Sequence, residues 1–255
     1  MLPVRPKKHL GQHFLHDRNI ARKIASGLTG QISNVLEIGP GTGILTQFLL
    51  ENNDLNVKAI EIDIESVAYL GENFPGLQKN LIEDDFLKTD LQGLFSEQPY
   101  AVIGNFPYNI SSQIFFRIID HRYLIPEVVC MVQKEVAQRI TAMAGSKTYG
   151  ILSVLLQAWY DIEYLFTVNE NVFNPPPKVK SAVMRMVRNK RNKLDCDEKL
   201  FMLVVKTAFN QRRKTLRNAL SILTKDTKSK EIPFADKRAE QLSVDDFIML
   251  AASLF

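Results

Sequence analysis

Four consecutive residues, Asn105-Phe106-Pro107-Tyr108, carry groups suited to an aromatic amine. The exocyclic amine of adenine is a poor nucleophile because its lone pair is delocalised into the ring. Two acceptors that take its N–H bonds draw the nitrogen toward tetrahedral geometry and release that pair. The Asn105 side-chain oxygen is one candidate acceptor, and the main-chain carbonyl of Pro107 is the other. Tyr108 offers a ring on which a base stacks. A methyl group held in line would then transfer by direct displacement, with positioning supplying most of the rate. The plainer alternative is a turn with a buried tyrosine.

A second constellation lies upstream. Residues 35–43 (VLEIGPGTG) read as a strand running into a glycine turn and then a helix. Glycine admits backbone angles closed to other residues and lets a ligand approach the main chain. Eighteen positions after Gly43, at the end of the next predicted strand, stands Glu61, placed to accept both hydroxyls of a ribose. The GxGxG spacing lacks the third glycine of the dinucleotide fingerprint. With Glu37 just before it, the pattern suits a cationic ligand over a pyrophosphate. S-adenosylmethionine, with its sulfonium, ammonium and ribose, is favoured; NAD and a purely structural glycine turn remain as alternatives.

The elements that position these groups follow from hydrophobic patterning. Strands are predicted over residues 34–38, 57–62, 100–104 and 128–132, with helix-like spacing over 44–50. The run at 128–132 is apolar on both faces, as in a buried parallel strand. Alternating strands and helices predict a doubly wound α/β sheet. Residues 174–178 (NPPPK) form a rigid loop, and 181–187 read as a late strand. RNKRNK at 188–193 has no core residues and reads as a linker. Beyond it Leu200, Leu203, Val204 and Ala208 recur at helical spacing, and Ser243 with Asp246 resembles a capping box. The expected domains are therefore 1–187 and 188–255.

The 255 residues are 45% hydrophobic and 24% charged, which suits a folded protein of one or two domains. No apolar run is long enough to span a membrane, and the N-terminus lacks the apolar core of a secretory signal. Cys130 and Cys196 form no CxxC pair, and no HExxH occurs. His9, His13 and His16 share no face, so no metal is expected. A reducing, cytoplasmic protein is implied. The net charge of +4 conceals an asymmetry: residues 1–187 hold 17 basic and 19 acidic residues, whereas 188–255 hold 15 and 9. A basic last quarter points to an anionic partner, with nucleic acid first. Arg212, Arg213, Lys214 and Arg217, read as adjacent helical positions, are the expected phosphate contacts, against the alternative of a solvated face.

In this order and over nearly the whole chain, the motifs resemble those of the small-subunit (16S) ribosomal RNA adenine-N6,N6 dimethyltransferases of bacteria. Residues 10–15 (LGQHFL) resemble the family's LGQNFL, 35–46 its EIGPGxGxLT, 59–63 (AIEID) its ribose-binding strand end, and 84–86 (DDF) its acidic motif. Residues 104–112 resemble GNLPYNIS, 173–181 resemble FxPPPKVxS, and 209–218 resemble a basic helical signature. The stretches 132–137 and 149–150 match further signatures.

The resemblance implies a Rossmann-like class I methyltransferase sheet with a small all-helical C-terminal domain, and S-adenosylmethionine as cofactor. Gly39 would line the methionine and ribose part, Glu61 hold the ribose, Asp85 accept from the cofactor's adenine, and Phe86 pack against it. His13 and the Leu15 backbone would help close the site. Asn105 would touch cofactor and target amine, Pro107 supply the second acceptor, Tyr108 stack the target base, and Phe173 sandwich it from the other face. The implied substrate is two adjacent adenosines in the 3′-terminal hairpin loop of 16S rRNA, within the immature small subunit. The protein would act there as a monomer, away from membranes. Two positions depart from the pattern. His13 stands where the family has Asn, and Phe106 where it has Leu; imidazole still donates a hydrogen bond, and phenyl fills the same apolar space. A 23S rRNA adenine methyltransferase, a mainly non-catalytic assembly factor and a DNA adenine methyltransferase are the alternatives. The PPPKVKS loop and FNQRRKTLRN stretch favour the 16S type.

Overall fold

The structure is a computed structural model and describes residues 4–223 and 232–254. Its strands are β1 (Phe14–Leu15), β2 (Asn34–Ile38), β3 (Asn56–Glu61), β4 (Leu81–Glu83), β5 (Ala101–Asn105), β6 (Glu127–Gln133), β7 (Tyr160–Val168), β8 (Phe173–Asn174) and β9 (Ser181–Arg188). Its helices are α1 (Arg18–Ala25), α2 (Thr46–Leu50), α3 (Ile64–Asn73), α4 (Ser111–Asp120), α5 (Lys134–Ile140), α6 (Ile151–Gln157), α7 (Glu198–Asn210), α8 (Leu216–Ala219) and α9 (Val244–Leu254).

Seven strands make one sheet in the order β4-β3-β2-β5-β6-β9-β7. The pairs from β4 to β6 are parallel, and β9 runs antiparallel to β6. β1 pairs antiparallel with β8 apart from it. Val35, Leu36, Val102, Ile103 and the run Val128 to Val132 are wholly buried. Full burial of one such aliphatic side chain contributes about 1.5–3 kcal/mol, so the central strands anchor the sheet. The strand order reverses between β2 and β5. Ligands of open α/β sheets bind at such a switch, outside the carboxyl ends of the strands. Gly104 lets the two strands meet there: a Cβ on it would lie 2.5 Å from the Ile38 carbonyl oxygen.

The chain folds into two compact units. The first holds residues through Ala137 together with Ile162–Arg188. The second holds Gln138–Asp161 together with the chain from Asn189 onward. One break thus falls at the end of β9, one residue past the charge boundary. Residues 138–161, however, leave their sequence neighbours. The reason is aromatic and apolar packing within the second unit: Tyr149 meets Phe209 edge-on at 6.1 Å, Phe209 stacks on Phe247 at 5.8 Å, and α6 packs against α7. The expected capping box is present. Asp246 N–H donates to Ser243 Oγ at 3.1 Å, and Ser243 N–H to Asp246 Oδ2 at 2.9 Å.

Two expectations are corrected. Arg212, Arg213 and Lys214 are not helical, because α7 ends at Asn210 and they occupy the following turn; Arg217 alone lies in a helix, α8. β7 adds a strand where the sequence pattern predicts none. Its nine residues carry mixed burial rather than a clean alternation.

Candidate active site

A cavity of about 260 Å³ opens at the carboxyl ends of β2, β3 and β5. His13, Gly39, Glu61, Asp85, Phe86, Asn105, Pro107 and Tyr108 all line it. Leu15 and Phe173 do not. They face each other in the β1–β8 ladder and are buried in the hydrophobic core.

Each side chain is held by its element. Gly39 follows β2 with φ of +66°, and a Cβ there would meet no atom within 4 Å, so it leaves the cavity room. Glu61 closes β3 and is 4% exposed. Its Oε1 accepts from Ile62 and Asp63 N–H, each at 2.9 Å, and Oε2 from Gly41 N–H at 3.0 Å. Burial raises its pKa, opposed by those three donors. Asp85 Oδ1 accepts from Leu87 N–H at 2.9 Å. Phe86 is buried beside it.

Asn105 ends β5. Its amide nitrogen donates to the main-chain carbonyl of His13 at 3.0 Å, while its Oδ1 is buried without a donor among the described residues. The Pro107 carbonyl accepts from Ile110 N–H at 3.2 Å, which leaves its second lone pair. Tyr108 bonds through its hydroxyl to the fully buried Ser181. Phe106 is buried against Phe115, its ring centroid 5.9 Å away. The N-terminal segment forms one wall. It is pinned to the buried Asp63 by the Lys7 ammonium and by Gln12 Nε2 at 3.0 Å.

The cavity's charge is one-sided. Glu61, Asp84 and Asp85 line it, and among the described residues no lysine or arginine does. Glu37 is not one of these groups, which corrects the expectation that it favours a cationic ligand. Its carboxyl is 1% exposed and accepts from Thr46 Oγ1 at 2.7 Å. Burial pushes its pKa up to about 8, so it is mostly protonated at neutral pH. Ile62 escapes the sequence reading of the site. It is half exposed and lines the cavity directly after Glu61, and an apolar residue following the strand-end carboxylate is the available signal.

In the second unit Arg212 is engaged internally. It reaches Glu240 at 3.4 Å and the Lys147 carbonyl at 2.6 Å. Arg213 and Lys214 are exposed, and Arg217 pairs with Asp236 at 3.1 Å. Among the described residues no group of three or more His, Cys, Asp or Glu is placed to hold a metal ion, and no helix is long and apolar enough to cross a membrane.

An acidic cavity beside an open glycine turn suits a cofactor that brings its own positive charge, and pyrophosphate would find no basic side chain on its described wall. Sheet order and cavity fit a nucleoside-bearing cofactor at the switch point, and the chain's family and relatives make it a class I S-adenosylmethionine-dependent methyltransferase. Comparison narrows the class. The ribosomal RNA adenine dimethylase family model matches residues 4–254, and the chain belongs to that family. It is 60% identical to the ribosomal RNA small subunit methyltransferase A of Phocaeicola vulgatus, over 97% of this chain and 89% of that one. It is 58% identical to the protein of the same name from Cytophaga hutchinsonii, over 100% and 99%. A dimethyladenosine transferase from Plasmodium falciparum superposes with a TM-score of 0.74 at 27% identity, over 93% of this chain and 96% of that one. The 23S rRNA methyltransferase ErmE, at 24% identity and a TM-score of 0.66 over 94% and 99%, shares the fold.

Proposed function

We propose that this rRNA adenine dimethyltransferase modifies N6 of two adjacent adenosines in the 3′-terminal hairpin loop of 16S rRNA, acting as a cytoplasmic monomer on the immature small subunit and without a metal. The observation that carries the reading is Asn105: it lines the cavity, and its buried Oδ1 is an acceptor without a donor among the described residues, which an adenine amine would satisfy.

Bound in the cavity, S-adenosylmethionine supplies an electrophilic methyl group. Glu61 holds the ribose hydroxyls, Asp85 and Phe86 hold the cofactor's adenine, and Gly39 leaves room for its methionine part. Asn105 Oδ1 and the free lone pair of the Pro107 carbonyl take the two N–H bonds of the target amine. Tyr108 supports the base. A monomethylated amine keeps one N–H, so the second transfer uses one acceptor of the two. Loop bases are the least costly to extrude into such a pocket. The second unit grips RNA phosphates with Arg213, Lys214 and Arg217.

The test is transfer of labelled methyl to unmethylated small subunits, with the modified bases mapped. Label on two adjacent adenosines near the 3′ end of 16S rRNA is expected. Label confined to 23S rRNA, or on other 16S positions, would overturn the assignment.

A further inference from the structure

His13 and Tyr108 line not one cavity but two. Besides the cofactor cavity, they border a second space of about 470 Å³ whose other walls include Pro175, Pro176, Pro177, Lys8 and Lys178. The three prolines supply apolar surface suited to a base or ribose, and two lysines suit the phosphates on either side of it. The second space thus has the chemistry of a nucleotide, whereas the first holds the Asn105 acceptor that the nucleotide's amine must reach.

The two shared rings are stacked, with centroids 5.5 Å apart and planes 27° from parallel. They are not equally secured. The Tyr108 hydroxyl is tied to Ser181, which is wholly buried on β9. The His13 ring is partly exposed and held, among the described residues, by one hydrogen bond, from its Nδ1–H to the Pro175 carbonyl at 2.7 Å. The main chain of residue 13 has a separate task, because its carbonyl anchors the Asn105 amide.

We propose that the His13 side chain is a gate for the target base: it covers the face of Tyr108, and an incoming adenine displaces it. This rests on the reading that Tyr108 stacks the target base. Opening costs one hydrogen bond and one offset ring pair, so His13 sets how readily a base enters. It is a positioning residue, and its removal eases entry.

The experiment titrates full-length protein into the 3′-terminal 16S hairpin carrying 2-aminopurine at the target position and follows fluorescence as the base stacks. His13→Ala and His13→Asn keep the main-chain carbonyl that holds Asn105. Both are expected to bind the probe base roughly tenfold more tightly than the wild type, the worth of one hydrogen bond and a ring pair. Thermal unfolding midpoints within a few degrees of the wild type, roughly the shift that 1 kcal/mol gives in a chain of this size, show that the variants are folded. Unchanged probe affinity in both variants would remove the gate, and weaker affinity in both would make His13 a stacking partner instead. Tyr108→Ala separates the two levels. If it leaves the fluorescence change intact, the stacking reading itself fails, whatever His13 does.

Discussion

The Asn105 side chain takes its orientation from His13, a residue ninety-two positions earlier in the chain. A main-chain carbonyl accepts only from the amide nitrogen, so the bond at 3.0 Å turns the Asn105 oxygen away from His13. The N-terminal segment therefore does more than cover the site. It sets the direction of an acceptor carried by β5.

Asn105→Ala removes that acceptor together with the amide's bond to His13. Methyl transfer should fall by about 10²–10³-fold, the usual cost of losing one hydrogen-bonding group that acts in the transition state. Single-turnover transfer measures the loss, and small-subunit affinity of the same protein should stay within a few-fold of wild type. An equal loss in both would remove the proposed role.

Two glycines separate stability from cofactor binding. Gly104→Ala drives a Cβ into the Ile38 carbonyl and should destabilise the fold by roughly 1–3 kcal/mol, read as a lower thermal midpoint. Gly39→Ala meets no atom but holds φ at +66°, a strain of about 1–2 kcal/mol, and it adds a methyl to a residue that lines the cavity. Its larger effect should be weaker S-adenosylmethionine binding by calorimetry.

Glu37 makes the fold weaker as pH rises. Its folded pKa of about 8 lies above the ordinary 4.5, so the folded state holds a proton that the unfolded chain has lost between those values. Its contribution is most favourable below pH 4.5 and is lost progressively as pH rises toward 8. Glu37→Gln keeps the size and removes the charge. Denaturant titrations should find the variant more stable than wild type at pH 8.5, by several kcal/mol on the order implied by one pKa unit per 1.4 kcal/mol, with the gap closing toward pH 4.5.

The basic run should divide by function. Arg213→Ala and Lys214→Ala expose no core and should leave the thermal midpoint unchanged while weakening small-subunit binding. Each should reduce the slope of log affinity against log salt by about one. Arg212→Ala breaks contacts with Glu240 and Lys147 and should instead lower the midpoint. A salt slope altered by Arg212 alone would reverse the assignment.

The residues that build the site are legible because they sit at strand ends. The glycine turn after β2, Glu61 after β3 and Asn105 after β5 each mark a place where hydrophobic patterning stops and chemistry begins. What escapes is set by partners distant in sequence. Glu37 looks available to a ligand, but whether a carboxyl points into a cavity or toward Thr46 is decided by packing. Phe173 and Leu15 are apolar residues in short strands, and only their pairing places them in the core. The stacking of His13 on Tyr108 brings together chain segments that no periodicity connects. The Asp246–Ser243 cap is readable from sequence because both partners lie within one helical turn.

The second unit is stitched from two stretches of chain, and that has a consequence for how the protein comes off the ribosome. Residues 138–161 are synthesised before β9, yet the helix α6 they contain packs on α7, which follows it. Until translation passes α7, Tyr149 has no Phe209 to meet. A premature stop after Arg188 would therefore not yield a catalytic body shorn of an appendage. It would yield a nascent chain with an uncovered apolar helix, a client for chaperones and proteases rather than a smaller enzyme.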